Sequence, residues 1–240
     1  MTDTLDVTLV VPAYNERATI ASSIAAWLDV LAAAGLTAHC VVVDDGSTDG
    51  TDAALAEVAG ALPHVKVLRQ ANAGHGAALL RGYRAATGAW VLQVDGDDEI
   101  GPRHFGELWA QRTERGLVLG RRTHADRAFI RRCISRTAAA YVRLVSGARV
   151  HDANVPYRLL PRTLLVQFLA SLPDGTVAPN LAMTIFAGLQ GWEVREVAVV
   201  ERPRVPTRRP LGGLRLWRTV LLAFSQSRCF RDAARQSTRS

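Results

Sequence analysis

Apolar positions along this chain fall into short continuous runs that alternate with stretches of helical spacing. Val7-Thr8-Leu9-Val10-Val11 is a β-branched run that meets Pro12, which cannot donate to a central ladder and is read as the strand's end. From Thr19 to Ala34 the period changes. Ile20, Ile24, Trp27, Leu28 and Leu31 share one helical face, and Gly35 closes the segment. His39 to Val43 is a second strand. Asp52 to Leu62 reads as helix, Val65 to Leu68 as strand, Ala77 to Ala86 as helix and Ala89 to Val94 as strand. Further on the pattern is less regular, with helices over Asp126 to Gly147, Leu164 to Leu172 and Thr176 to Gly188, and a late strand from Trp192 to Val200. Strands alternating with helices predict an α/β fold, a mostly parallel sheet flanked by helices on both faces.

Length and composition narrow the picture. A chain of 240 residues can bury one sizeable core, and no polar linker, repeat or low-complexity tract divides it. A single domain over residues 1–210 is expected, followed by a basic amphipathic helix and tail over 211–240. The first residues form no basic-then-apolar signal pattern, and no apolar stretch is long enough to span a bilayer. The expected location is therefore the cytoplasm. Cys40, Cys133 and Cys229 are too scattered for a metal site or a disulfide framework.

Charge is divided unevenly. Residues 1–114 carry 7 basic and 15 acidic side chains, whereas residues 115–240 carry 22 and 7. Lys66 is the only lysine, so the excess is arginine, whose planar fork suits phosphate. A basic half is compatible with nucleic acid, an anionic membrane or a phosphorylated substrate. No nucleic-acid recognition motif or aromatic platform accompanies it, so nucleic acid is not expected as a partner. Leu214 to Phe230 mixes apolar residues with Arg215, Arg218 and Arg228. Such a segment either lies in an anionic interface or packs on the domain.

Candidate chemistry collects where strands end. Asp95-Gly96-Asp97-Asp98 follows the Ala89–Val94 strand, at the carboxyl edge where open α/β sheets bind ligands. Asp95 and Asp97 can present two carboxylates to one hard cation, Mg²⁺ or Mn²⁺, which in turn binds a diphosphate. Asp44 and Asp45 follow the second strand; like charges side by side cost energy, so a purely structural pair there would be unusual except as a helix cap. Asp49 or Thr51 is placed to cap the next helix. Gly74 and Gly76 permit a tight turn or close approach to a ligand, and His75 between them is read as a turn residue.

Four segments occur in a fixed order: Val10 to Glu16, Val42 to Thr51, Asn72 to Ala78, and Ala86-Thr87-Gly88 followed by Val94-Asp95-Gly96-Asp97. Over residues 7 to 160 the chain resembles glycosyltransferase family 2, inverting enzymes with the Rossmann-like GT-A fold. Within it the chain is most similar to dolichol- or polyprenol-phosphate mannosyl- and glucosyltransferases. Gly120-Arg121-Arg122, Arg131-Arg132-Cys133-Ile134-Ser135 and Asp152 to Arg158 carry that closer likeness. The resemblance implies a nucleotide-sugar donor, with GDP-mannose favoured over a UDP-sugar. It places Pro12, Tyr14, Glu16, Asp44, Asp45 and Gly74 in the donor crevice. Tyr14 and Glu16 would line base and ribose, and Asp45 would accept from the base imide. Arg122, Arg131 and Ser135 would contact phosphates, and Arg202 precedes a flexible loop.

The acceptor is the open half of the reading. A polyprenyl phosphate is already anionic and needs no strong base, and Asp152 would then orient groups such as Arg158. A hydroxyl of a small molecule or glycan needs a base, and Asp152 would supply it. The chain departs from the family at Glu99, where Gln is common, at Pro156, where Gly is common, and after Arg202. There Val205 to Pro210 replaces the usual Gly-x-Ser. With a lipid acceptor, peripheral contact with the inner membrane face is expected. A binding protein without turnover and a nucleic-acid module are the competing classes.

Overall fold

The strand β1 (Val7–Ala13) is buried along its whole length, as a parallel strand covered on both faces must be. A computed structural model of the chain describes residues 5–123, 129–172 and 175–202, with the side chains of 129–134 left out. After β1 come α1 (Ile20–Ala33), β2 (Ala38–Asp44), α2 (Thr51–Ala61), β3 (Val65–Arg69), α3 (His75–Ala85) and β4 (Trp90–Gln93). A turn of 3₁₀ helix at Pro102–His104 leads into α4 (Phe105–Ala110). Then follow β5 (Gly116–Arg122), α5 (Phe129–Ser146), β6 (Arg158–Pro161), α6 (Arg162–Ala170), α7 (Pro179–Leu189) and β7 (Glu193–Val199).

The seven strands form one sheet in the order β3-β2-β1-β4-β6-β5-β7. β3, β2, β1 and β4 are parallel; β6 runs against both its neighbours, and β7 is parallel to β5. The sheet is thus mostly parallel and flanked by helices, within a single domain. Since β6 opposes β4 and β5, the residues entering β6 lie at the same edge as the carboxyl ends of the other strands. That reversal brings the segment before Arg158 beside Asp95 and Arg122.

The apolar spacing of α1 is realised: Ile20, Ile24, Trp27, Leu28 and Leu31 are buried. Trp27 packs against Tyr157, with ring centroids 5.6 Å apart, and edge-on to Phe105 at 6.4 Å. This cluster joins the two halves of the chain in one core.

Two points need adjustment. β1 does not stop at Pro12 but continues to Ala13 in register with β2, Pro12 opposite Val43. The β4 side has already ended at Val10, so the missing proline N–H leaves no ladder bond unmade. Strands β5 and β6 were not anticipated as elements, because β6 is only RLLP, buried throughout and without alternation. The helix expected over Asp126 to Gly147 is described from Phe129 to Ser146, and its first three residues lie outside the described residues. The division at residue 210 and the segment Leu214 to Phe230 lie outside the described residues.

Candidate active site

The part of the edge beyond β1 and β2 is a knot of carboxylates and backbone amides. Asp44, only 1 % exposed, accepts the Ser47 N–H at 3.0 Å, and Arg69 Nε lies 3.5 Å from its other oxygen. Asp45, 2 % exposed, accepts from Gln70 Nε2, Ala73 N and Gly74 N, each at 2.8 Å. Asp45 therefore fastens the 70–74 loop to the end of β2. Gly46 must be glycine on two counts. Its φ is 71°, and a Cβ there would lie 2.8 Å from the Asn72 nitrogen.

The loop after β1 is tied to the loop after β2. Asn15, at φ 55°, receives the Thr48 N–H at 2.8 Å and donates its own N–H to Ser47 Oγ at 3.0 Å. Glu16 N–H donates to Thr51 Oγ1 at 2.9 Å. Asp49 receives the Arg17 N–H at 3.2 Å and the Thr51 N–H at 3.0 Å, so it serves the first amide of α2. Tyr14 and Glu16 are left half-buried above the end of β1.

Beyond β4, Asp95, Asp97, Asp98 and Glu99 are half-buried on one loop. Asp97 Oδ1 accepts the Glu99 N–H at 3.1 Å, and Thr19 Oγ1 donates to the Gly96 carbonyl at 3.1 Å. His75 is not merely a turn residue. It opens α3, and its Nε2 stands 3.9 Å from Asp95 Oδ1. Arg202 folds onto the same loop, pairing with Asp98 and donating its N–H to the Glu99 carbonyl at 2.8 Å.

Among the described residues, no three or more His, Cys, Asp or Glu side chains converge as a cage for a metal ion. Asp95 and Asp97 instead offer hard oxygen donors two residues apart. Mg²⁺ is commonly held by one or two carboxylates plus substrate phosphates, and Mn²⁺ accepts the same donors. The residues present fit a cation that arrives with a diphosphate.

The other side of the edge is built on arginine. Arg122, at the end of β5, donates from Nε to Asp152 Oδ2 at 2.6 Å and from Nη2 to Asp152 Oδ1 at 3.0 Å. Nη1 reaches Glu201 Oε1 at 3.4 Å. Burial works against this cation, but the Asp152 hydrogen bond and charge, followed by Glu201 and Glu99, hold its pKa above the ordinary arginine value. Arg158 is fully buried and donates to the carbonyls of Val155, Asn180 and Ala153 and to Thr184 Oγ1. Burial pushes its pKa down to about 10, so it is still charged at neutral pH. Asp152 pairs with Arg122, not with Arg158 as expected. The reason is geometric: Arg158 points inward from β6 and is used up on carbonyls.

Pro12, Tyr14, Glu16, Asp44, Asp45, Gly74, Asp95, Asp97, Arg122, Asp152 and Arg202 are thus gathered along one edge of the sheet. Ser135 is half-buried in α5, and the side chain of Arg131, one turn before it, lies outside the described residues. Sequence reading overlooked Glu201 and Gln70. Glu201 sits next to Arg202, and a carboxylate among so many arginines was the available signal.

Comparison with known proteins agrees with this arrangement. Residues 8–141 match the profile of glycosyl transferase family 2. The chain is 32% identical over 216 residues to a polyprenol monophosphomannose synthase of Mycolicibacterium smegmatis, covering 85% of this chain and 78% of that one. Two other curated relatives are much longer, and the chain spans only 22% and 27% of their lengths. In structure it resembles glucosyl-3-phosphoglycerate synthase from Mycobacterium tuberculosis in complex with Mn²⁺ and UDP-glucose. The TM-score is 0.66 at 22% identity, over 92% of this chain and 78% of that one. It also resembles a mannosyltransferase from Pyrobaculum calidifontis in complex with GDP-Man and Mn²⁺. There the TM-score is 0.62 at 22% identity, over 94% and 64%. The fold, the edge that collects the motifs and the matched sequence agree: the chain belongs to glycosyltransferase family 2.

Proposed function

We propose that this enzyme transfers a sugar, with inversion, from a nucleoside-diphosphate sugar to a polyprenyl phosphate, with GDP-mannose as the favoured donor and Mg²⁺ or Mn²⁺ as cofactor. The observation carrying this reading is the pair of half-buried carboxylates, Asp95 and Asp97, on the loop leaving β4 at the carboxyl edge. A divalent cation bound there supplies charge neutralisation for the leaving diphosphate. Asp97 fixes the loop through the Glu99 amide. The first turn of α3, with His75 beside Asp95, offers helix-terminal amides to phosphate. Pro12, Tyr14 and Glu16 border the space for base and ribose, and Asp44 and Asp45 brace it from below. Arg122, and Arg131 from α5, add positive charge on the acceptor side.

In the reaction, an acceptor phosphate oxygen bonds to the anomeric carbon on the face opposite the nucleotide. The bond from that carbon to the diphosphate breaks, and its electron pair leaves with the nucleotide. No proton has to move, because the phosphate acceptor is already ionised. Asp152 favours this acceptor over a hydroxyl. Both its oxygens accept from Arg122, so it orients a cation and is not presented as a base. Similarity to a polyprenol monophosphomannose synthase supports both mannose and the lipid. The enzyme would work in the cytoplasm, at the inner membrane face.

Calorimetry with GDP and UDP, with and without Mn²⁺, tests the donor half. A sugar-nucleotide panel offered with short polyprenyl phosphates or hydroxylated small molecules tests the acceptor half. Metal-dependent nucleotide binding and product from prenyl phosphates alone are expected. Nucleotide binding indifferent to metal would overturn the donor chemistry, and transfer only to hydroxyls would overturn the acceptor.

A further inference from the structure

Between Arg127 and His151 the chain holds six arginines and not one Asp or Glu. The helix α5 fills most of this stretch and has two unlike faces. Val142 is buried, and Ala138, Tyr141 and Val145 pack on the core. Arg136, Ala140, Arg143 and Leu144 are exposed at positions i, i+4, i+7 and i+8, which share one side of a helix. Leu144 is 85% exposed, the most exposed large hydrophobic side chain among the described residues. Arg149 and His151, just past the helix, are exposed beside it. An open groove of about 720 Å³ runs between them, floored by Ala139, Ala140 and Val150.

Among the described residues, no ion pair to an acid is formed by Arg136, Arg143 or Arg149. Glu196, which packs against His151, has a side chain only 10% exposed. It accepts from the His151 and Asp152 amides and lies 2.6 Å from the His151 ring nitrogen. A leucine standing clear of the surface beside arginines differs from a nucleic-acid patch, whose apolar contacts are base-stacking aromatic rings and not an aliphatic side chain. It matches the boundary of an anionic bilayer, where a basic polar rim meets phosphate and an aliphatic side chain enters the acyl region.

We propose that the outer face of α5, with Arg149, docks on an anionic lipid bilayer. Leu144 enters the acyl boundary while Arg136, Arg143 and Arg149 sit at the level of the lipid phosphates. The proposal rests on the reading of a lipid-phosphate acceptor. With α5 lying along the surface, its first turns carry Arg131 and Ser135. The segment leaving it carries Asp152 with its partner Arg122, so the acceptor side of the site is held near the membrane.

The test is co-sedimentation of the full chain with vesicles of equimolar phosphatidylglycerol and phosphatidylcholine, and with phosphatidylcholine alone, at low and high salt. Each arginine near such a surface is worth about fivefold in partition at low salt. The triple variant Arg136→Gln, Arg143→Gln, Arg149→Gln is therefore expected to bind the anionic vesicles roughly a hundredfold less. Leu144→Ser should weaken binding several-fold and do so at high salt as well, since burial of an aliphatic side chain is not screened. All four side chains are exposed, and a melting curve checks the fold. Transfer to a short soluble prenyl phosphate should persist in the triple variant, whereas transfer to a vesicle-embedded acceptor should fall.

A triple variant that binds anionic vesicles like the parent would overturn the docking face. So would a parent that ignores charge in the vesicle, or one that prefers double-stranded DNA at the same salt. If no prenyl phosphate accepts sugar from the parent, the acceptor reading fails on its own, and sedimentation still decides the docking face.

Discussion

The two sides of the carboxyl edge are held together by opposite means. On the donor side, carboxylates collect backbone N–H groups. Asp44 takes Ser47, Asp45 takes Ala73 and Gly74, and Asp49 takes Arg17 and Thr51. On the acceptor side, arginines collect carbonyls: Arg158 takes Ala153, Val155 and Asn180, and Arg103 takes Val200 at 2.6 Å. Both devices satisfy loop groups that a sheet edge leaves over. They differ in the charge they leave behind. The donor side keeps a surplus of acid that suits a cation carrying a diphosphate. On the acceptor side Arg122 and Arg158 are taken up by Asp152, Glu201 and backbone carbonyls, and the excess of base is that of the sequence, 22 basic against 7 acidic residues over 115–240. The uneven charge of the two halves of the chain is thus scaffolding as well as chemistry.

The largest effect is expected where donor-side acid is not scaffolding. Asp97→Asn keeps a side-chain oxygen that can accept the Glu99 N–H, so it should leave the melting temperature within a few degrees of the parent. On the proposed reading, losing one metal-binding carboxylate removes several kcal/mol of transition-state stabilisation. A drop in kcat/KM of about a thousandfold, or roughly 4 kcal/mol, is expected. Calorimetric Mn²⁺ affinity in the presence of GDP should weaken in parallel. Normal turnover by a folded Asp97→Asn protein would place the cation elsewhere.

The acceptor side should respond differently, with stability and activity falling together. Asp152→Ala strips a bidentate partner from Arg122, whose side chain is only 15% exposed, and leaves Glu201 at 3.4 Å. Breaking a buried pair from one side costs about 3–5 kcal/mol. At roughly 2–4 °C per kcal/mol for a domain of this size, the melting temperature should fall by about 6–20 °C. The double variant Asp152→Ala, Arg122→Met removes the stranded guanidinium but also the Arg122 contact of Glu201, so it should regain only part of that loss while staying inactive. If Asp152→Ala melts like the parent yet loses transfer to hydroxyl acceptors only, Asp152 is a base after all.

Asp45 lies between these extremes, since it is donor-side acid used wholly as scaffold. Asp45→Ala frees the Ala73 and Gly74 amides and Gln70 from a buried carboxylate. Hydrogen bonds to a charged group are worth about 1.5–3 kcal/mol, and donors left unpaired add to the loss. A melting temperature lower by about 5–10 °C is expected. A donor Kd at least about tenfold higher should accompany it. A large change in Kd without any thermal shift would mean that Asp45 meets the base directly instead of through the 70–74 loop.

These contrasts explain what the sequence disclosed. The parallel strands β1 to β4 were legible because each is a continuous apolar run closed by turn residues, and the acids at their ends stand in fixed order. β6 was not, since four buried residues carry no period. Its reversal moves the 152–157 segment to the site. The partner of Asp152 was misjudged for the same reason. In sequence Arg158 is six residues away, but in space Arg122 arrives from a neighbouring strand. Glu201 and the 2.8 Å bond from Gln70 to Asp45 depend on that same assembly and on no local pattern.

The smallest effect concerns how β7 leaves the sheet toward the site. His104 Nε2 accepts the Val200 N–H at 3.1 Å, which requires an unprotonated nitrogen. Burial, then the charge of Arg103, holds the His104 pKa below the ordinary histidine value, with Glu107 opposing. The folded state therefore takes up its proton at lower pH than the unfolded state does. The contribution to stability is complete above about pH 6.5, the ordinary value, and is lost as pH falls through the lower folded-state pKa. A neutral hydrogen bond is worth about 1 kcal/mol, so the melting temperature should drop by a few degrees between pH 7 and pH 5 on this account. Other groups titrate in that window, so the comparison is with His104→Gln, whose Oε1 can accept the same amide at every pH. The variant should show a shallower decline. Amide exchange at Val200 should accelerate with acid, beyond its intrinsic pH dependence, in the parent alone. Equal slopes for the two proteins would take His104 out of the acid response and leave the acceptor-side exit held by the Arg103 bond to the Val200 carbonyl.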